Sequence, residues 1–250
     1  KYVASTVREI TLDANVYEKK SVTIIEIMGR HAGWLTAASA LARKYDGDNP
    51  LFIYLPETDF DQEAFLKDLE KAFETNCNLI VCVSEGIHDA EGTFICEYDS
   101  SVGTDTFGHK MLAGCGKYLE NLVRSRLGVK ARSVELNVSQ RCSAAMISAT
   151  DQQEAVAAGK FGVQAALNGE TGKMVSFIRE ADADGNYQMV CGLEDVNEIC
   201  NQEKVVPAEW IAPDGHDVTE DFVRYARPLI QGNVNVPLGE DGLPAFVYRK

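Results

Sequence analysis

The chain has 250 residues, of which 45% are hydrophobic, and this is enough to bury the core of one large α/β domain, or of one domain plus part of another. Its formal net charge of −14 at pH 7 argues against nucleic acid as a partner, because binding to a phosphate backbone depends on clustered Lys and Arg. No stretch approaches the roughly 18 to 20 apolar residues of a membrane span, so no membrane partner is expected.

Strands and helices alternate through the first part of the chain. The hydrophobic spacing predicts, in order, a helix over residues 6–17, a strand over 21–28, a small-residue helix over 35–43, a short strand over 51–54, a helix over 61–75 and a strand over 79–83. Apolar strands separated by helices of this size pair in parallel through right-handed crossovers. The predicted fold class is α/β, a three-layer Rossmann-like parallel sheet with helices on both faces.

The second part of the chain continues this alternation, more loosely from residue 151. The predicted elements are a flexible connection over 97–108, a helix over 116–126, a strand over 132–141, a helix over 151–167, a strand pair over 173–178 and 187–190, and a terminal helix over 219–230. Thr150 or Asp151 is the expected N-cap of the helix over 151–167. The strand over 132–141 is expected to end in Gln140 and Arg141.

One strand end carries an arginine close to two glycines. The strand over 21–28 runs into Met28-Gly29-Arg30, with Gly33 shortly behind. In a parallel sheet, ligands bind at the carboxyl ends of the strands. The glycines permit a tight turn, the following helix presents free N–H groups, and Arg30 adds a permanent charge suited to phosphate oxygens. Spacing alone favours this anion site no more than a plain turn with Arg30 in solvent.

Two other strand ends carry polar residues. Glu85 stands beside Gly86, where its carboxylate either accepts hydrogen bonds from sugar hydroxyls or is an ordinary solvated loop acid. Arg141 follows the strand over 132–141. If Arg30 and Arg141 converge from separate strand ends, they form a pocket for a dianion, whereas one arginine alone is a weak indication.

The cysteine pattern indicates the cellular compartment in which the protein is expected. Seven cysteines, an odd number without a Cys-x-x-Cys pair, indicate neither a disulfide framework nor a zinc site. The first residues also lack the apolar run of a signal peptide. The expected location is therefore a reducing cytoplasm.

These motifs together resemble those of one known family. Residues 24–36, from Ile-Ile-Glu-Ile through Met-Gly-Arg-His to Ala-Gly-Trp-Leu-Thr, resemble the strand and substrate loop of phosphofructokinases, and the Ala-Gly-Trp-Leu-Thr continuation is most similar to the pyrophosphate-dependent branch. Ser84-Glu85-Gly86 is similar to the family's substrate-glutamate segment. Gln140-Arg141 is similar to the family's Gln-Arg segment. The resemblance implies the phosphofructokinase fold, with this chain as its C-terminal substrate-binding portion.

Carried over by position, the resemblance implies a binding site for fructose 6-phosphate. Met28 and Gly29 would contact the sugar phosphate, and Arg30 would neutralise charge on the phosphoryl group during transfer. Glu85 would hold sugar hydroxyls. The pair Gln140-Arg141 would bind substrate, with the arginine on the 6-phosphate.

Some positions depart from the family pattern. Many members carry, just before the substrate strand, an Arg that is offered to a neighbouring subunit, and this chain has Ser21 there. Lys20 is expected to substitute for that Arg as a substrate-binding residue. Gln152 stands where many members have an Arg phosphate ligand. Tyr225 or Arg227 is expected to contribute to the 6-phosphate pocket instead.

Two family segments are missing from these residues. A Gly-Gly-Asp-Gly donor loop and a Thr-Ile-Asp-Asn-Asp segment with the catalytic base occur nowhere in the 250 residues. The implied parent is a glycolytic 6-phosphofructokinase, a dimer or tetramer that uses Mg²⁺ to transfer a phosphoryl group from pyrophosphate or ATP to the sugar's 1-hydroxyl. This chain is expected to be a portion without the donor half and inactive alone. The alternative is a non-catalytic sugar-phosphate-binding or regulatory module.

The resemblance also implies a division of the chain into three parts. Residues 1–150 would form the fructose 6-phosphate-binding α/β domain. Residues 151–207 would pack partly on the donor-binding domain. Residues 208–250 would form a C-terminal helix and tail that return to the substrate domain.

Overall fold

The computed structural model describes residues 1–98 and 114–245. Its helices and strands are α1 Tyr2–Ala14, β1 Ser21–Ile27, α2 Trp34–Ala37, β2 Phe52–Tyr54, α3 Gln62–Ala72, β3 Asn78–Ser84, α4 Cys115–Leu127, β4 Lys130–Glu135, α5 Ser139–Cys142, α6 Ala149–Leu167, β5 Lys173–Ala181, β6 Tyr187–Asp195, α7 Val196–Ile199 and α8 Glu220–Ala226. Short 3-10 helices lie at Ala38–Ala42, Ile95–Tyr98, Ala208–Trp210 and Arg227–Ile230. None of the helices within these described ranges has the length and apolar character needed to span a membrane. The connection predicted over 97–108 lies outside the described residues from residue 99 onward.

The predicted strand over 132–141 is wrong at its end. β4 stops at Glu135, and Gln140 and Arg141 lie on the short helix α5. Asn137 adopts a positive φ of 42°, and the Ser139 N–H donates to the Leu136 carbonyl at 3.1 Å, so the backbone turns before the Gln-Arg pair. A left-handed residue of this kind cannot be recognised from strand-like hydrophobicity.

Two predicted helices also differ at their ends. The N-cap of α6 is Ser148, not Thr150 or Asp151: its Oγ accepts a hydrogen bond from the Asp151 N–H at 3.4 Å. The terminal helix is α-helical only to Ala226 and continues as a 3-10 helix. Pro228 explains that change, because a proline disfavours the α conformation of the residue before it.

The chain divides into two compact units, which are described separately. The sheet unit comprises Tyr2–Ser143 and Lys204–Ala226, and the hairpin unit comprises Lys1, Ala144–Glu203 and Arg227–Lys250. The expected three-part division at residues 150 and 207 stays a prediction.

The sheet unit is built on a four-stranded parallel sheet with the strand order β2-β3-β1-β4. All residues of β1 and β3 are buried, as expected for strands covered on both faces. One face packs against Phe65 of α3 and Leu119 of α4. On the other face, α1 contacts the 3-10 helix Ala38–Ala42. Ser39 of that 3-10 helix forms a hydrogen bond with the Cys82 thiol of β3. The predicted α/β fold with a parallel sheet is confirmed.

The hairpin unit consists mainly of α6 and the antiparallel pair β5–β6. The two strands pair from Lys173 opposite Asp195 to Ala181 opposite Tyr187, so the predicted strand pair is present and longer than expected. At the start of α6, the Ser148 hydroxyl lies 2.7 Å from the Leu229 carbonyl. No residue of α6, β5 or β6 is buried. These three elements therefore form no closed core of their own.

Glu26 is a carboxylate inside the sheet unit, on β1, with only 4% of its surface exposed. Its Oε2 accepts a hydrogen bond from the Gly116 N–H at 2.7 Å, and its Oε1 accepts one from the Gly114 N–H at 3.2 Å. A strand residue thus satisfies N–H groups at the start of α4. Burial raises the pKa of Glu26; the two N–H groups oppose this rise, and the nearby charge of Glu135 adds to it.

We predict that Glu26 makes the sheet unit less stable as the pH rises. Since the folded pKa lies above the ordinary value of 4.5, the stability contributed by its protonation is present below that value and is lost as the pH rises through the folded pKa. Urea unfolding of wild type and Glu26→Gln at about pH 4 and about pH 8 measures this. The stability advantage of wild type over the variant should shrink at the higher pH. An advantage that grows with pH would contradict the prediction.

Candidate functional site

The register of the sheet brings three chain segments to one edge. In the pairing of β1 with β3, Ile27 lies opposite Ser84, and in the pairing of β1 with β4, Glu26 lies opposite Glu135. The strands are parallel, so the residues that follow them leave the sheet at the same end. The loop over residues 28–33, which we call the site loop, therefore starts beside Glu85 and beside the turn that leads to α5.

The start of the site loop is attached to the end of β3. The Gly29 N–H donates to Glu85 Oε1 at 3.4 Å, and the Ser84 hydroxyl donates to the Gly29 carbonyl at 2.6 Å. Gly29 has a φ of 150°, which side-chain-bearing residues rarely adopt. A Cβ on Gly86 would lie 1.8 Å from the Arg30 carbonyl oxygen, so the loop backbone rests directly on the backbone of Gly86.

Gln140 holds the same loop from the side of α5. Its Oε1 accepts a hydrogen bond from the Met28 N–H at 3.0 Å, and its Nε2 donates to the Met28 carbonyl at 3.4 Å. The side-chain amide pairs with the main chain of Met28 as a neighbouring strand would. This bond also brings the next residue, Arg141, to the loop.

Glu85, Arg30 and Arg141 share one electrostatic environment. Burial raises the pKa of Glu85, while the Gly29 N–H and the positive charges of Arg30, Arg141 and His31 act to lower it. Arg30 is half-buried and Arg141 is exposed. Within the described residues, neither guanidinium is joined to a partner by a hydrogen bond or an ion pair. Two arginines beside one carboxylate favour an anionic ligand that also carries hydroxyl groups.

Three further predicted site residues come from other parts of the chain. Lys20 is exposed, precedes β1 at its opposite end, and has its Nζ 5.2 Å from the centre of the Phe73 ring. The seven residues of β1 separate it from the site loop by about 20 Å. Tyr225 lies in the sheet unit, with its ring centre 5.5 Å from that of Trp34. Arg227 belongs to the hairpin unit. The ligand roles of all these residues stay predictions.

Two residues at the strand ends have contacts that the sequence analysis did not anticipate. Ser84 holds the Gly29 carbonyl, and Glu57, after β2, accepts a hydrogen bond from the Gly33 N–H at 2.8 Å. Both lie just after strands that the sequence predicts, Ser84 after the strand over 79–83 and Glu57 after the strand over 51–54. Their position was the only signal available, because the partners are main-chain groups that sequence patterns do not reveal.

Acidic and sulfur side chains do not cluster as a metal centre in the described ranges. Among residues 1–98 and 114–245, no group of three or more His, Cys, Asp or Glu side chains is placed to hold a metal ion. In phosphoryl-transfer sites Mg²⁺ commonly uses one or two carboxylates together with substrate phosphates. The described residues therefore do not form a complete metal site by themselves.

Known proteins are similar to this chain in sequence and in fold. The model of the family described as phosphofructokinase matches residues 1–166. The pyrophosphate–fructose 6-phosphate 1-phosphotransferase of Xanthomonas campestris is 39% identical, over 100% of this chain and 59% of that protein. The ATP-dependent 6-phosphofructokinase 2 of Streptomyces coelicolor is 36% identical, over 75% of this chain and 50% of that protein. The solved pyrophosphate-dependent phosphofructokinase of Marinobacter aquaeolei has a TM-score of 0.83 and 31% identity, over 100% of this chain and 60% of its own. This chain thus spans less than two thirds of each of these relatives.

We predict that Gly86→Ala destabilises the sheet unit and displaces the site loop. The added Cβ would meet the Arg30 carbonyl at 1.8 Å, and overpacking of this kind costs about 1–3 kcal/mol. Urea unfolding measures the loss, and the amide chemical shifts of Met28 and Gly29 report the displacement.

Gly159→Ala is the control for the substitution itself. A Cβ on Gly159, within α6, meets nothing within 4 Å, and replacing a helical glycine by alanine stabilises by about 1 kcal/mol. Equal stability of Gly86→Ala and wild type, with unchanged loop shifts, would show that the close approach does not constrain the loop.

Proposed function

We propose that this chain, which belongs to the phosphofructokinase family, holds fructose 6-phosphate within a longer enzyme. There the sugar's 1-hydroxyl would receive the phosphoryl group. The observation that carries the proposal is the pair Arg30 and Arg141, which lie beside Glu85 and are unpaired within the described residues. The Xanthomonas relative, a pyrophosphate–fructose 6-phosphate 1-phosphotransferase, supports fructose 6-phosphate as the substrate.

Each residue of the site has a separate task in this proposal. Arg141 binds the 6-phosphate, which is the group that a planar guanidinium pairs with best. Glu85, when ionised, accepts hydrogen bonds from sugar hydroxyls, and the main chain at Met28 and Gly29 lies against the sugar phosphate. Arg30 neutralises the charge on the phosphoryl group as it moves.

These residues contribute to phosphoryl transfer by positioning the substrate and by stabilising the charge on the phosphoryl group. Phosphoryl transfer gains most of its acceleration from those two effects, so Arg30 needs to move no proton. The resemblance assigns the proton of the 1-hydroxyl to an aspartate in a segment absent from these 250 residues. Gln140 acts by holding Met28, and this also places Arg141 at the site.

The donor, the metal and the assembly belong to the whole enzyme. Pyrophosphate is the donor we favour. ATP is kept as the alternative, because relatives of both kinds match this chain. Mg²⁺ is the proposed metal. A homodimer or homotetramer is the proposed assembly, in which Lys20, exposed at the far end of β1, would serve a neighbouring subunit. A cytoplasmic location is supported by seven cysteines that are all free.

We predict that Arg141→Ala weakens the binding of fructose 6-phosphate about 10- to 100-fold, because a hydrogen bond to a charged group contributes about 1.5–3 kcal/mol. Isothermal titration calorimetry on this chain measures the change. Arg126→Ala is the matched control: it removes the same charge, but Arg126 pairs with Glu63 on the surface of the sheet unit. It should bind as wild type does. Equal losses in both variants would mean that only net charge matters, and no binding by wild type would remove the sugar-phosphate site.

We predict that these 250 residues alone show no phosphofructokinase turnover. The donor loop and catalytic base of the resembled family do not occur in them. The assay supplies fructose 6-phosphate, Mg²⁺ and either pyrophosphate or ATP and measures fructose 1,6-bisphosphate. Turnover would contradict the prediction. Binding without turnover in a longer protein that includes both missing segments would favour the alternative, a non-catalytic sugar-phosphate-binding or regulatory module.

A further inference from the structure

Glu57 connects two distant segments of the sheet unit through one oxygen atom. It follows β2, and its Oε1 accepts hydrogen bonds from the Gly33 N–H at 2.8 Å and from the Val206 N–H at 2.9 Å. Gly33 is the last residue of the site loop and the N-cap of α2. Val206 lies in the segment that precedes the 3-10 helix Ala208–Trp210. The carboxylate therefore joins the end of the site loop to a part of the chain far away in sequence.

The segment on the other side of Glu57 is itself firmly held. Val206 has only 1% of its surface exposed. The Trp34 indole N–H donates to the Lys204 carbonyl at 2.6 Å, two residues before Val206. The Trp34 ring also packs near Trp210 and Phe222, with ring centres 6.1 Å away in each case. Glu57 thus ties the loop to an anchored segment.

The two ends of the site loop are fixed by different side chains. Gln140 and Glu85 bind the N–H groups of Met28 and Gly29 at its start. Glu57 binds the N–H of Gly33 at its end. Arg30 lies between these two attachments. Its direction therefore depends on both, because a loop held at one end only samples more conformations than a loop held at two.

One carboxylate oxygen of Glu57 is left without a hydrogen bond in the part of the chain that the structure describes. Its Oε2 is buried and has no hydrogen-bond partner within the described residues. A buried acceptor without a partner lowers stability. The hydrogen bonds of Glu57 are thus concentrated on Oε1, which lies between the Gly33 and Val206 N–H groups.

We propose that Glu57 is a positioning residue of the sugar-phosphate site. It acts through Gly33, holding the end of the site loop so that Arg30 points towards Glu85 and Arg141. It touches neither the sugar nor the phosphate. The identity of the ligand rests on the proposed function, whereas the control of the loop by Glu57 does not. Positioning of this kind matters because small displacements of a charged group cause large losses of rate in phosphoryl transfer.

Amide hydrogen exchange of Glu57→Ala, measured by NMR, tests the proposal. The informative amides are those of Met28 and Gly29, which Glu57 does not bind. If Glu57 holds the loop, their exchange should become about 10-fold faster or more when its end is released. Unchanged exchange at both amides would overturn the proposal, since Glu57 would then act only on its two direct partners.

Asp61→Ala is the matched control. Asp61 Oδ1 also accepts two main-chain hydrogen bonds, from Glu63 at 2.8 Å and from Ala64 at 2.9 Å, at the start of α3 in the same unit. Its loss removes the same number and kind of bonds away from the loop. Exchange at Met28 and Gly29 should then stay within about 2-fold of wild type. Equal acceleration in the two variants would assign the effect to general destabilisation and overturn the proposal.

Two further variants keep the test decisive if Glu57→Ala does not fold. Glu57→Asp keeps the charge but is one methylene shorter, so it cannot reach both N–H groups, and exchange at Met28 and Gly29 should be faster than in wild type. Glu57→Gln keeps an oxygen at the Oε1 position and should restore exchange close to the wild-type rate. Wild-type exchange in Glu57→Asp would overturn the proposal.

Binding of fructose 6-phosphate separates this inference from the proposed function. Calorimetry should give weaker binding to Glu57→Ala, by about 10-fold or more, and unchanged binding to Asp61→Ala. If wild type binds no fructose 6-phosphate, the proposed function fails while the exchange measurements still decide the role of Glu57. If wild type binds and Glu57→Ala binds equally well, the positioning role is wrong and the proposed function stands.

Discussion

The parallel pairing of β1 with β3 and β4 is the constraint on which the rest of the structure depends. Ile27 lies opposite Ser84, and Glu26 lies opposite Glu135, so three segments leave the sheet at one edge. A shift of one residue would turn every side chain of β1 to the opposite face of the sheet. It would also carry Gly29 away from Ser84 and Glu85. The burial of all residues of β1 and β3 on both faces holds this register and, with it, the site.

Polar side chains around the site divide into those that hold the loop and those that remain available. Gln140, Ser84 and Glu57 each make at least one hydrogen bond to a main-chain group of the site loop. Arg30 and Arg141 have no hydrogen-bond or ion-pair partner in the part of the chain that the structure describes. Glu85 does both, because it binds the Gly29 N–H and lies near both arginines. A loop held at both ends, with Arg30 on it and Arg141 on the neighbouring helix, is a suitable arrangement for an anionic ligand.

Much of the fold and of the candidate site could be predicted from the sequence, and the predictions that were wrong have identifiable causes. The strands β1 and β3 and the loop after β1 were predictable because buried parallel strands are continuous apolar runs ended by glycine. The end of β4 was not, since the backbone turns at Asn137 and places Gln140 and Arg141 on α5. Nor was the cap of α6, because Thr150, Asp151 and Ser148 are all residue types that cap helices.

The sequence by itself determined the fold class, the motif Met28-Gly29-Arg30 and the family, since these depend on local hydrophobic period and on the order of residues along the chain. Only the tertiary structure decided that Glu57 binds Gly33 and that Gln140 binds Met28. The physical reason is that these contacts join a side chain to a main-chain N–H or carbonyl of a distant segment. Every residue except proline offers the same N–H group, so no pattern of side chains identifies which one is bound.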